Sequence, residues 1–170
     1  MIHLAHLLTC CLLLGTAHVA SECKESGNVN AWAAFTGPGS GRYLLKKSTV
    51  PKAKTCLSAE VPTDKGANSA QVKYRFKKGD TWTEKTWSVQ GQGDQLTVTA
   101  RTWTQTAKVF YSDNKNCYVT RLTGGDVELW IHNGASDNDV KCCKELFKAE
   151  VKKQSKKDSV QKLQNGCAKM

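Results

Sequence analysis

Residues 109–143 read VFYSDNKNCYVTRLTGGDVELWIHNGASDNDVKCC. Three short runs rich in Val, Tyr, Thr, Leu and Trp are separated by Asp113-Asn114-Lys115 and Gly124-Gly125, and Asn133-Gly134 follows the third. β-Branched and aromatic side chains suit an extended, half-buried backbone, while Asn, Asp and Gly supply the turns between. Successive side chains of a strand point to opposite faces, so Glu128 and Trp130 share one face and Val127, Leu129 and Ile131 the other. An unpaired buried charge is costly, so Glu128 faces solvent, pairs internally or meets a ligand.

The same texture extends back to Arg42. The predicted strands are Arg42–Lys47, Lys54–Val61, Ala70–Lys77, Thr81–Gln90, Gln95–Thr102, Ala107–Ser112, Asn116–Leu122 and Val127–His132. Thr63-Asp64-Lys65-Gly66, Lys78-Gly79-Asp80 and Gly91-Gln92-Gly93-Asp94 are hairpin signals between them. About eight strands with short turns predict a β-sandwich or an up-and-down barrel, and seven or nine would fit nearly as well. Before them, Asn28 to Phe35 predicts one short helical turn. After them, Val140, Cys143, Phe147 and Val151, with Leu146 beside them, form the apolar stripe of a helix opposite a lysine-rich face. Asp137 or Asp139 is positioned to cap it. Val160, Leu163 and Cys167 then tether the tail to the barrel. Trp32, Trp82, Trp87, Trp103 and Trp130 would fill the core of a sandwich, whereas an eight-stranded barrel has room for one small ligand among them. Trp82 and Trp87, five apart, should face opposite sides.

The N-terminus sets the compartment. Leu4 to Ala17 is an almost uninterrupted apolar run, with small residues at Gly15, Ala17, Ala20 and Ser21. This predicts a signal peptide over residues 1–20, cleaved between 17 and 21, and a secreted single domain over 21–170. No second hydrophobic segment follows, so no membrane insertion is expected. Removing the signal leaves Cys23, Cys56, Cys117, Cys142, Cys143 and Cys167, an even set that predicts three disulfides in an oxidising compartment. Cys142 and Cys143, neighbours on a helix, diverge by only about 100°, which leaves their partners open. His132 is the one histidine beyond the signal region, and no C-x-x-C pair exists. Neither metal nor cofactor is expected, and no nucleophile–histidine arrangement asks for an enzyme. The net charge is +10, and residues 141–170 carry nine lysines against Glu145, Glu150 and Asp158. No aromatic residues interleave with these lysines, which argues against nucleic acid. A solvated helix face is the simple reading, and a polyanion site the alternative.

The quoted segment resembles the tick salivary lipocalins, the histamine-binding protein family. The resemblance rests on the aromatic-Tyr-Ser-Asp turn, the Cys-x-Val strand, the Glu-Leu-Trp strand and cysteines in the following helix. Cys23, AWAAF at 31–35, RYLLKKSTVPKAKTCL at 42–57 and the spacing of Trp82 and Trp87 extend it over essentially the whole mature chain. The adjacent Cys142-Cys143 pair resembles the soft-tick branch, which includes complement C5-binding members. The resemblance implies an eight-stranded antiparallel lipocalin barrel, mainly β, with the C-terminal helix packed outside and the chain a monomer. It also implies disulfides Cys23–Cys142, Cys56–Cys167 and Cys117–Cys143.

Such proteins sequester small host mediators of inflammation and haemostasis. Amine binders in the family place acids before the Cys-strand aliphatic residue and in Glu-Leu-Trp. Glu128-Leu129-Trp130 keeps the second acid, and Tyr118 stands in place of the first. The eicosanoid pocket maps onto Phe35, Tyr43, Lys54, Leu57, Trp87, Tyr118, Thr120 and Trp130. There Lys54 replaces an arginine, keeping the charge without its bidentate fork, and Ala107 replaces a second. The balance of these positions points to a leukotriene- or thromboxane-type lipid mediator. A biogenic amine, serotonin or histamine, is the alternative. Binding of a host complement protein through the loop from His132 to Asp139 is the third reading.

Overall fold

The computed structural model describes residues 23–63 and 67–167; the signal segment and residues 64–66 of the Thr63–Gly66 turn lie outside them. Eight strands follow one another: β1 Arg42–Ser48, β2 Ser58–Glu60, β3 Ser69–Lys78, β4 Thr81–Gln92, β5 Gln95–Ala100, β6 Trp103–Ser112, β7 Cys117–Leu122 and β8 Val127–His132. Each pairs antiparallel with the next, and β8 returns to β1, which closes the ring as an up-and-down barrel. A two-residue strand, β9 (Gln161–Lys162), pairs with Lys47 and Ser48 on the edge of β1 that the short β2 leaves bare. Closure removes the unpaired edges that would otherwise template aggregation.

Two helices complete the fold. α1 (Ala31–Thr36) is capped by the Asn30 side chain, which accepts from the Ala33 N–H at 2.9 Å. It packs against β4, β5, β6 and β7 and adds Trp32 and Phe35 to the core inside the barrel. Its approach requires glycine at position 91, where a Cβ would lie 2.6 Å from Trp32 Cβ. α2 (Lys141–Lys153) lies on the outside and buries Cys143, Leu146, Phe147 and Val151 against β6, β7 and β8. The predicted carboxylate cap is absent. Val140 holds the cap position without a side-chain bond, because Asp139 accepts from the Ser136 N–H and hydroxyl and Asp137 pairs with Lys144.

Two strand starts differ from expectation by four residues. The run from Lys54 is extended only from Ser58, because Lys52 and Cys56 adopt left-handed backbone angles that interrupt a strand. β6 begins at Trp103 rather than Ala107. Its polar start pairs with β5 through hydroxyl contacts, Thr97–Thr106 at 3.0 Å and Thr104–Thr99 at 3.4 Å.

The disulfides are Cys23–Cys142, Cys56–Cys167 and Cys117–Cys143, as the resemblance implied. They tie the N-terminal segment and β7 to α2, and the C-terminal tail to the turn before β2. The first two close separations of 119 and 111 residues. Loops of this length contribute about 4–5 kcal/mol each in the chain-entropy account.

A charge pair also joins barrel to helix. Glu150 of α2 is 2% exposed, and its carboxylate lies 2.6 Å from Arg121 Nε on the outer face of β7. Gln154 donates to the same oxygen at 2.7 Å. Arg121→Met strands a buried carboxylate and should lower unfolding stability by about 3–5 kcal/mol. Adding Glu150→Leu should recover most of that loss in denaturant titrations. A double variant no more stable than Arg121→Met would contradict this role for the pair.

Candidate functional site

The β7–β8 hairpin builds the polar side of a cavity within the barrel. Its register sets Tyr118 opposite Trp130 and Thr120 opposite Glu128, and alternation turns all four inward. Val127, Leu129 and Ile131 turn outward to α2. The cavity has a volume of about 110 Å³. Phe35, Leu57 and Trp87 complete the expected lining, so seven of the nine anticipated residues meet there.

The other two lie elsewhere. Tyr43 is fully buried behind the wall, 4.7 Å from the Tyr118 ring centroid, and its hydroxyl donates to the Ala34 carbonyl at 2.9 Å. Lys54 is exposed, and its ammonium sits 5.2 Å from the centroid of Phe76 rather than on the lining. Tyr74, Trp103 and Gln105 line the cavity although the sequence analysis did not single them out as site residues. The alternation of Val72, Tyr74 and Phe76 in one strand was a usable signal for Tyr74. Trp103 was read as lying beyond its strand. It packs edge-on to Trp87 at 5.0 Å and remains 39% exposed, so it marks where the cavity meets solvent. Trp82 faces the other way, beneath Arg75 and Lys77 on the outer surface.

The walls are aromatic. Trp130 stacks on Tyr118 at 6.0 Å and 16°, and Tyr74 lies 4.4 Å from Trp87. Into this cage projects the carboxylate of Glu128, which accepts a hydrogen bond from Trp130 Nε1 at 3.0 Å. Burial pushes its pKa up to about 7; the Trp130 bond opposes this, and Asp126 adds repulsion. Burial likewise pushes the Tyr74 and Tyr118 hydroxyls above their ordinary range, so both stay neutral. Thr120 Oγ1, on the lining beside Glu128, is buried with no hydrogen-bond partner. No lysine or arginine stands among the lining residues. A carboxylate without a counter-cation, an unpaired hydroxyl and stacked rings together suit a small organic cation bearing a polar group.

The family model described as tick histamine binding protein matches residues 19–167. The chain belongs to that family. Moubatin from Ornithodoros moubata is 31% identical over 135 residues, covering 78% of each protein. Among solved structures, the serotonin complex of AM182 superposes with a TM-score of 0.75 at 25% identity, over 88% of this chain and 99% of that one. The siderocalin Ex-FABP, at 12% identity and a TM-score of 0.57 over 77% of this chain and 93% of its own, shares the lipocalin fold alone. In this member of the histamine-binding family, the Glu-Leu-Trp strand thus delivers its acid into the lumen, and Tyr118 delivers a phenol beside it.

The elevated Glu128 pKa has a thermodynamic signature. Between the ordinary value 4.5 and about 7, the folded protein holds a proton that the unfolded chain has released. Unfolding stability should therefore fall as pH rises through that window, by up to about 1.4 kcal/mol per pH unit. Glu128→Gln should flatten this dependence in denaturant titrations between about pH 5 and pH 8. Identical slopes in the two proteins would show that the carboxyl titrates in its ordinary range.

Proposed function

We propose that this protein is a secreted scavenger that holds a small aromatic amine, of the serotonin or histamine class, in the lumen of its barrel. The observation carrying this reading is Glu128, the lone carboxylate of an aromatic lining that contains no cation. A protonated amine would supply the missing charge, with a charge-assisted hydrogen bond contributing roughly 1.5–3 kcal/mol. Trp130 and Tyr118 would add cation–π attraction of about 0.5–2 kcal/mol. Thr120 Oγ1 offers a partner to a ring N–H or hydroxyl. The serotonin held by the AM182 relative supports the same class. The signal-like N-terminus and three disulfides support action outside the cell.

An eicosanoid is the second reading, and Leu57, Leu96, Val98 and Leu122 on the lining favour it. Its expected carboxylate partner, Lys54, stands off the lining. A lipid carboxylate would also meet Glu128 as a like charge.

Tryptophan-fluorescence titration separates the two readings. Serotonin should quench the wild type, and Glu128→Gln should weaken its binding by about ten-fold to more than a hundred-fold. Lys54→Ala should leave it unchanged, and Tyr118→Asp should strengthen it by restoring a second acid. Because the amine needs ionised Glu128, affinity should fall up to about ten-fold per unit as pH drops below 7. Saturable leukotriene or thromboxane-analogue binding with no response to serotonin would overturn the amine assignment.

A further inference from the structure

Outside the barrel, β1, β9 and the start of α2 enclose a groove of about 410 Å³. Its floor is apolar, formed by Leu44, Leu129, Ile131 and Val140, and its rims carry Lys46, Lys47, Lys144 and Lys162. Consecutive lysines on a regular strand would face opposite sides. A bulge between Leu45 and Lys47 in the β1–β8 ladder breaks that alternation, so both lysines reach the groove while Leu45 stays buried in the barrel core.

The bulge has a further consequence. Lys47 becomes the direct partner of Lys162 across β1 and β9, and like charges directly opposite each other destabilise a ladder. Lys148, one turn beyond Lys144 on α2, is a fifth ammonium acting on the cluster. Partial burial, then Lys148, Lys162 and Lys144, push the Lys47 pKa below its ordinary value. Asp137, the carboxylate on the lining, is already engaged by Lys144. The fold thus gathers repelling charges along one concave surface, where ordinary barrel stability would disperse them.

We propose that this groove binds a sulfated polysaccharide of the heparan type, whose sulfates bridge Lys46, Lys47, Lys144 and Lys162. A linear polyanion matches both the concave shape and the row of point charges, and its counterions are released on binding. No Trp, Tyr or Phe lines the groove to stack on bases, which disfavours single-stranded nucleic acid. Trp103, the exposed large hydrophobic residue among those described, stands at the cavity mouth rather than here, which disfavours anchoring to a lipid surface. This site shares no residue with the lumen and goes beyond the amine reading. The protein would be held on sulfated glycans while its cavity stays open to ligand.

The test is calorimetric titration of the full mature protein with a heparin octasaccharide at about 0.15 M salt. Wild type should bind saturably, and Lys47→Gln/Lys162→Gln should weaken binding about ten-fold or more. Lys73→Gln/Lys78→Gln, an equal charge loss at two exposed positions of β3, should change it less than about two-fold. De-sulfated oligosaccharide should not bind. Serotonin quenching should be the same in all these variants, so the fate of the lumen reading is scored separately. Equal losses in both double variants would reduce the effect to net charge and overturn the groove. So would absence of heparin binding, or a preference for phosphatidylserine vesicles over heparin.

Discussion

Closing the sheet on itself, with β8 against β1 and β1 against β2, leaves each wall residue only two destinations, the lumen or the outer surface. That binary choice makes the β7–β8 hairpin serve two purposes at once. Val119, Val127, Leu129 and Ile131 hold α2 on the outside, while Tyr118, Thr120, Glu128 and Trp130 equip the cavity. A one-residue slip in register would exchange the two sets, turning the helix-binding residues into the lumen and the cavity residues onto the outer surface. Cys117–Cys143 guards against such a slip, since it fixes the first residue of β7 to a helix that also covers β8.

Within that frame the site is a stored imbalance. Burial disfavours the charged form of Glu128, and a single hydrogen bond from Trp130 only partly offsets it. Thr120 adds an unsatisfied hydroxyl. Buried polar groups short of partners destabilise the empty protein, and on the amine reading a cation with a hydrogen-bonding ring would supply what each lacks. With tyrosine at position 118, Glu128 is the one carboxylate on the lining, and on the amine reading the Tyr118 and Trp130 rings would stack in its support.

Much of this was readable from the residues. The strand from Val127 to His132 appears with the predicted ends, and the opposed faces of Glu128-Trp130 and Val127-Leu129-Ile131 follow directly from period-two alternation. The helix stripe was equally plain. What local pattern could not supply were features set by distant contacts. The turn before β2 is held by Cys56–Cys167 and by the Cys56 N–H bonding to the Leu163 carbonyl at 2.7 Å, so an apparently continuous strand from Lys54 is broken. That break moves Lys54 off the lining. Trp103 joined the cavity because the polar Thr104–Thr106 run finds hydroxyl partners across β5, a pairing no apolar alternation announces. The bulge that turns Lys46 and Lys47 the same way leaves no composition signal either.

On the amine reading, Glu128 stands in the lumen without a counter-cation until a cationic ligand binds. Its side-chain carboxyl can be followed by carbon NMR across a pH titration, without and with saturating serotonin. A pKa of about 7 is expected in the free protein, falling by about one unit or more when the ammonium binds beside it. A carboxyl that titrates identically with and without serotonin, or already in the ordinary glutamate range when free, would contradict it.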